Sequence, residues 1–240
     1  MDVRVTSPEG RIEIITGCMF SGKTGELIRR AQKAEIGGDY VVGFKPDIDD
    51  RYEKNAICSH TGVNIDAIPI QKDVKGLQNA MDSIDFHERI VNEDNLSYAE
   101  NGSSNQYDTI TPEGSEQSYI KFDEQKGSID VVVIDEVNLF EPEIVKFVQE
   151  LANKNYRVIL SGLDLTFRGE PFNPCPQLLS LADHVEKRQA VCEVCGDPAT
   201  RTQRLIDGEP APYGSPTIEV GGEEKYEPRC RNCHEVPRDD

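Results

Sequence analysis

Three sets of residues in this 240-residue chain have the types and spacing to do chemistry. The first reads G-x-x-x-x-G-K-T, from Gly17 through Cys18, Met19, Phe20, Ser21 and Gly22 to Lys23 and Thr24. Glycines at that spacing let backbone N–H groups converge on phosphate oxygens, and a helix starting behind them adds its positive end. Lys23 supplies a mobile positive charge and Thr24 a hydroxyl for magnesium, so the stretch reads as the grip on a nucleoside triphosphate. The second set is Asp135 and Glu136, which end the apolar run "VVVI". In phosphate-loop proteins an acid so placed helps to hold magnesium, the role expected of Asp135. Glu136 can act as a base toward water or toward a substrate hydroxyl, and that choice separates a hydrolase from a kinase. The third set is Cys192, Cys195, Cys230 and Cys233, two C-x2-C pairs with 34 residues between them. Each pair can place two thiolates on one metal, and four sulfurs with no open position describe a structural zinc. Two disulfides are the competing arrangement, which suits a cytosolic chain poorly. His234 could compete with Cys233 as a ligand but reads as a bystander. Cys58 and Cys175, like Cys18, have no partner at ligand spacing and read as packing or loop residues.

Regular elements must deliver these groups. "RIEIIT" alternates and then turns apolar, as a strand entering a core does, and "GELIRRAQKAE" puts Leu27, Ile28 and Ala31 on one helical face. Tyr40 to Phe44 predicts a strand, "AICSHTGVNIDAIPI" one or two short strands around a turn at Thr61 and Gly62, and Asp73 to Ile84 a weak helix. Val131 to Ile134 is the continuous apolar run of a parallel strand covered on both faces. A helix with Ile144, Val145, Phe147, Val148 and Leu151 buried follows, then a buried strand in "YRVILSGLDLTF" and a helix in "PQLLSLADHVEK". Strands alternating with helices imply an α/β fold, a mostly parallel sheet with helices on both faces. From about 85 to 127 the chain is polar, acidic and rich in turn formers, and reads as an insertion or mobile surface segment. The alternation ends at Lys187. The expected organisation is a nucleotide-binding domain over 1–187 and a four-cysteine unit over 188–240.

Composition narrows the class. The formal net charge is -18, with Arg no rarer than Lys and no Trp, a balance resembling proteins of high-salt cytoplasm. Plain solubility through self-repulsion is the simpler account. Either way, so negative a chain is a poor partner for nucleic acid, whose phosphates are held by positive surfaces. No stretch approaches the roughly 20 apolar residues of a membrane span. "MDVRVTSPEG" has no signal-peptide core, so a cytoplasmic location with no membrane partner is expected.

Together these stretches resemble the thymidine kinase family of the cellular, zinc-containing type. "GCMFSGKTGELIRR" looks like that family's phosphate loop and helix, and "KPDIDDRY" with "SHTG" like its mobile loop. "VVVIDEVNLF" resembles its acidic strand and "GLDLTFRGEPF" its nucleoside-facing loop. "AVCEVCGDPATRTQRLIDGEPA" and "EVGGEEKYEPRCRNCH" are similar to its zinc-held lid. The resemblance implies a P-loop, RecA-like sheet with a small zinc-bound lid. It implies transfer of the γ-phosphate of ATP, with Mg2+, to the 5′-hydroxyl of thymidine and also of deoxyuridine. A homotetramer, a structural Zn2+ and feedback inhibition by dTTP come with it. By position, Glu136 matches the family's catalytic base, while Lys23 and Arg51 match groups that stabilise the transferring phosphoryl charge. Met19, Leu163, Phe167, Phe172, Thr202 and Tyr226 match positions that enclose thymine and deoxyribose. The chain departs from the pattern at Asn138 and Leu139, where the family carries Gln and then an aromatic, and at Thr61, where Asp or Asn is usual. A zinc-ribbon ATPase moving on nucleic acid is the rival reading. A kinase for another nucleoside, or a nucleotide sensor disabled at Asn138, are the others.

Overall fold

The computed structural model describes residues 10–48, 55–92, 98–101, 108–115, 117–218 and 225–238. β1 (Arg11–Gly17) runs into the core with Ile12 and Ile14 on one face and Ile15 on the other. α1 (Lys23–Ile36) starts directly behind the glycine loop and buries Leu27, Ile28, Ala31 and Ala34, the stripe that its 3.6-residue spacing predicts. Glu26 sits in its first turn and Lys33 in its last, each complementing the helix dipole. Next come β2 (Val41–Pro46), the hairpin β3 (Ala56–Cys58) and β4 (Asn64–Asp66), and β5 (Ile68–Ile70). α2 (Val74–Asn92) leads to β6 (Tyr98–Asn101), β7 (Thr109–Pro112) and β8 (Tyr119–Ile120), a small antiparallel sheet. β9 (Val131–Ile134), α3 (Ile144–Asn153), β10 (Arg157–Gly162), α4 (Cys175–Leu181) and β11 (His184–Arg188) complete the α/β part.

Among the described residues the main sheet has six strands in the order β11-β1-β10-β9-β2-β5, and every pairing in it is parallel. The strand bearing the glycine loop and the strand ending in the acidic pair are therefore both neighbours of β10. α1 packs on one face over Ile15, Val131, Val133 and Ile159; α2, α3 and α4 pack on the other over Ile14, Val132, Ile134 and Leu160. Burial on both faces explains the unbroken apolar run in β9, whose four residues are all 0% exposed. Each such side chain contributes about 1.5–3 kcal/mol.

The polar insertion contains more core than its composition predicts. α2 continues past Ile84 to Asn92, and Phe86 and His87 are buried on it. Ile120 and Phe122 join the main apolar cluster, and Ile110 is buried nearby. Tyr119 stacks on Phe86 at 4.5 Å, and the Ser83 hydroxyl accepts the N–H of Ile120 at 2.9 Å. The "PQLLSLADHVEK" stretch also differs from expectation. Its helix ends at Leu181, and His184–Arg188 forms an edge strand of the sheet. Among the described residues that strand pairs with β1 alone, and its charged side chains suit a sheet edge.

Beyond Arg188 lie β12 (Ala190–Val191), β13 (Pro198–Ala199), β14 (Arg201–Ile206), β15 (Glu209–Pro210) and β16 (Tyr226–Arg229). β12 pairs with β13, and β14 pairs with β15 and β16, all antiparallel. No described helix is long and apolar enough to cross a membrane.

Candidate active site

The glycine loop is held by its own atoms and by the neighbouring strand. The Ser21 hydroxyl donates to the carbonyl of Cys18 at 2.7 Å, and the Lys23 ammonium donates to the same carbonyl at 2.9 Å. From β11, the Arg188 guanidinium donates to the carbonyl of Ser21 at 3.0 Å. Gly17 is at φ 142°, and a Cβ there would lie 2.4 Å from the carbonyl oxygen of Arg188. Only glycine lets the chain leave β1 this close to β11. Phe20 adopts φ 63°, a left-handed conformation uncommon for a bulky residue.

The base of α1 is tied to the sheet by a buried ion-pair network. Glu13 accepts from Arg11, Arg30 and Arg157 at 2.9, 2.9 and 2.7 Å, and Arg30 reaches Glu26 and Glu186 as well. Burial alone would raise the Glu13 pKa, but hydrogen bonds from Arg157 and Arg11 outweigh it and hold the carboxyl at about 2.

At the end of β9, Asp135 is buried and accepts the N–H of Glu136 through Oδ1 at 2.9 Å. Glu136 stands at φ 50° and ψ 44°, at the head of the short 3-10 turn Val137–Leu139. A left-handed non-glycine residue costs about 1–3 kcal/mol, and such strain concentrates where a side chain has to be aimed. The next turn explains Asn138. Its side chain is 3% exposed, and Oδ1 accepts the N–H of Leu163 at 2.7 Å. A Cβ on Gly162 would lie 2.8 Å from that same oxygen. The short amide and the bare glycine together join the acidic turn to the start of the loop after β10.

One cavity of about 280 Å³ gathers these groups: Lys23, Thr24, Asp135 and Glu136 line it together with Met19, Phe20 and Leu163. Its outer wall is the β3–β4 hairpin, which contributes Ile57, Ser59, His60 and Thr61. The Thr61 and Ser59 hydroxyls are 2.9 Å apart, so Thr61 is engaged within its own loop.

The four cysteines form the second centre. Their sulfurs all lie within 4.8 Å of one another, and Cys195 Sγ is 3.7 Å from Cys230 Sγ. Sulfurs on zinc at about 2.3 Å span tetrahedral edges of roughly 3.8 Å, so the set fits that ion. Both C-x2-C turns close identically, with Gly196 N–H on the carbonyl of Cys192 at 2.9 Å and His234 N–H on that of Cys230 at 3.1 Å. Burial opposes ionisation of Cys192, but N–H groups of Cys230, Cys195 and Val194 outweigh it and bring the thiol to about 6. All seven cysteines are free of disulfides. His234 is not among the clustered ligands; its Nε2 lies 2.8 Å from the carbonyl of Phe167. This unit touches the glycine loop directly. Cys18 packs in one cluster with Cys192, Ala199 and Cys230, and its Sγ lies 3.3 Å from the carbonyl of Ala199. The N–H of Met19 donates to the Thr202 hydroxyl at 3.1 Å.

The family model for thymidine kinase matches residues 10–99 and 88–234. A curated thymidine kinase of Haloquadratum walsbyi is 43% identical over 232 residues, covering 97% of this chain and 98% of that protein. The chain belongs to the thymidine kinase family. It is an ATP-dependent kinase, with the parallel sheet and cysteine cluster described above.

For a thymidine kinase family member, the site residues expected from sequence fall into three groups. Met19, Phe20, Gly22, Lys23, Thr24, Asp135, Glu136 and Leu163 line the cavity, while Gly17, Cys18 and Ser21 of the same loop are outside its lining. Phe167, Phe172, Thr202 and Tyr226 stand outside its lining: Phe167, Thr202 and Tyr226 are buried in or against the four-cysteine unit, and Phe172 is half-buried. Arg51 lies outside the described residues. Sequence reading does not single out Arg188 as the brace of the glycine loop. The signal is slight, a single basic residue at the point where the helix–strand alternation ends.

Proposed function

We propose that the protein transfers the γ-phosphate of ATP to the 5′-hydroxyl of thymidine, and also accepts deoxyuridine. The observation that carries this reading is the sharing of one cavity by Lys23, Thr24, Asp135 and Glu136 with the apolar Met19 and Leu163. Backbone N–H groups of residues 17–24 would bind the phosphates, with Lys23 and Arg51 countering the charge of the group in transit. Oxygen donors on Thr24 and Asp135 suit Mg2+, which when bound supplies further charge neutralisation. Glu136 would accept the proton of the acceptor hydroxyl, and its fixed backbone would keep it aimed there. Met19 and Leu163 would pack the pyrimidine, with Phe167, Phe172, Thr202 and Tyr226 completing the enclosure when the four-cysteine unit closes. A kinase must exclude water, because water is a competing acceptor, and residues 188–240 would serve as that lid, held by Zn2+ on Cys192, Cys195, Cys230 and Cys233. A uracil base should be tolerated within about 1–3 kcal/mol, the value of one methyl-sized contact. A homotetrameric state, inhibition by dTTP and a cytoplasmic location belong to the same proposal.

The test is a panel of nucleosides incubated with labelled ATP, with and without single-stranded DNA. Thymidine monophosphate is the expected product. Glu136→Gln should lower its kcat by about 10²–10⁴-fold with ATP binding retained. Phosphate release stimulated by DNA, with no nucleotide product, would replace the kinase with a nucleic-acid ATPase.

A further inference from the structure

One arginine in the loop after β10 has an unusual set of partners. Leu163 lines the cavity, and five residues on, Arg168 leaves a tight turn closed by Thr166 N–H to the carbonyl of Glu170 at 2.8 Å. Its guanidinium donates from Nε to the carbonyl of Tyr213 at 2.7 Å and from Nη2 to that of Ser215 at 2.6 Å. Nη1 donates to the Thr217 hydroxyl at 2.6 Å. Arg204, 3% exposed on β14, donates to the carbonyl of Pro216. Both guanidiniums lie over the ring of Phe167, at 4.7 and 5.6 Å from its centroid, and Arg168 is also 5.0 Å from that of Tyr213. These four oxygen acceptors on segment 213–217 are all neutral. Arg168 therefore uses all three of its donor nitrogens in shaping a stretch of chain.

Further residues of 188–240 hold the same turn. Arg201 donates to the carbonyl of Gly169 at 3.2 Å, Tyr213 donates from its hydroxyl to Glu170 at 2.6 Å, and His234 meets the carbonyl of Phe167. Residues 166–170 are thus the place where the cysteine unit meets the loop leading from Leu163.

We propose that Arg168, seconded by Arg204, is a positioning residue for the nucleoside. By fixing segment 213–217 against Phe167, it transmits the order of the metal unit to the loop that carries Leu163. The proposal rests on the thymidine kinase reading for its substrate, but the clamp itself does not. A planar fork serves several acceptors at once while stacking on a ring, and an ammonium does not, so lysine should fail here.

The experiment compares the full zinc-loaded chain with Arg168→Ala and Arg168→Lys, Arg168 being only half-buried. Amide hydrogen exchange across 213–217 should quicken about tenfold or more in both variants, with zinc content unaltered. KM for thymidine should rise about tenfold or more while KM for ATP moves less than about threefold, a split that general destabilisation does not produce. Unaltered exchange in 213–217, equal changes in the two KM values, or full rescue by lysine would each overturn the assignment. If the unsubstituted chain phosphorylates no nucleoside, the functional reading fails, and the exchange measurement alone still decides whether the clamp exists.

Discussion

The glycine loop and the four-cysteine unit both hold tight turns, by opposite means. Residues 17–22 are clamped between β1 and α1, whose Ile14, Ile15 and Leu27 are all 0% exposed, and β11 braces them through Arg188. The cysteine unit has strands of two to six residues and packs its buried cysteines with little more than Ala199 and Cys18. A metal fitting the four cysteines, together with hydrogen bonds to the larger domain, would supply its order. Burial protects one turn, ligation would protect the other, and the contacts at Cys18 and Met19 join them.

That contrast can be broken most sharply by chelation. Structural zinc in small units supplies roughly 10–16 kcal/mol of folding free energy. Removing it, or replacing Cys230 with Ser, should abolish nucleoside phosphorylation and open 188–240 to proteolysis, while the circular dichroism of the α/β sheet persists. Collapse of both regions together would show that burial does not sustain the larger one alone.

Acid should act on the larger domain in its own window. Glu13 has a pKa of about 2 in the folded chain against 4.5 for the unperturbed group, so the unfolded state binds more protons between those values. The stabilisation is present above about pH 4.5 and is lost as the pH falls toward 2, on the order of 3 kcal/mol in all. Urea midpoints measured across that range should fall steeply, and less steeply for Glu13→Gln, which already takes from Arg157 its carboxylate partner at neutral pH. Equal slopes for both proteins would remove Glu13 from this role.

The smallest effect concerns salt. Residues 85–127 carry ten acidic against three basic side chains. Molar KCl should slow hydrogen exchange in this segment by a few fold, about what screening of like charges yields, with little change at the glycine loop. A uniform response along the chain would count against a local cause.

What could be read in advance follows the same division. The glycine loop, the β9 run with its acidic pair, and the cysteine spacing are contiguous signals, each carrying its physical reason within a few residues. β11 escapes because "HVEK" is charged and follows a helical stretch, and nothing local says that β1 will pair with it. Ile120 and Phe122 escape because the short run "YIKF" is set among polar and turn-forming residues, and nothing local says that it packs beside α2 in the core. Arg168 is invisible for a related reason: its partners are backbone and hydroxyl oxygens 45 to 49 residues away, which composition does not mark. Asn138 reads in sequence as a shortened Gln, whereas the bare Gly162 beside it gives the shorter amide its reach to Leu163.

The placement of β10 sets a ruler for any reaction here. With strands about 4.8 Å apart, the one interposed between β1 and β9 separates gripping loop from carboxylate by roughly 10 Å. β10 ends in Gly162, and the side chains of Val137 and Asn138 pack directly over its bare Cα, so the acidic turn closes the gap from below. Whatever meets the terminal phosphate must be slim enough to enter that slot and long enough to bridge it.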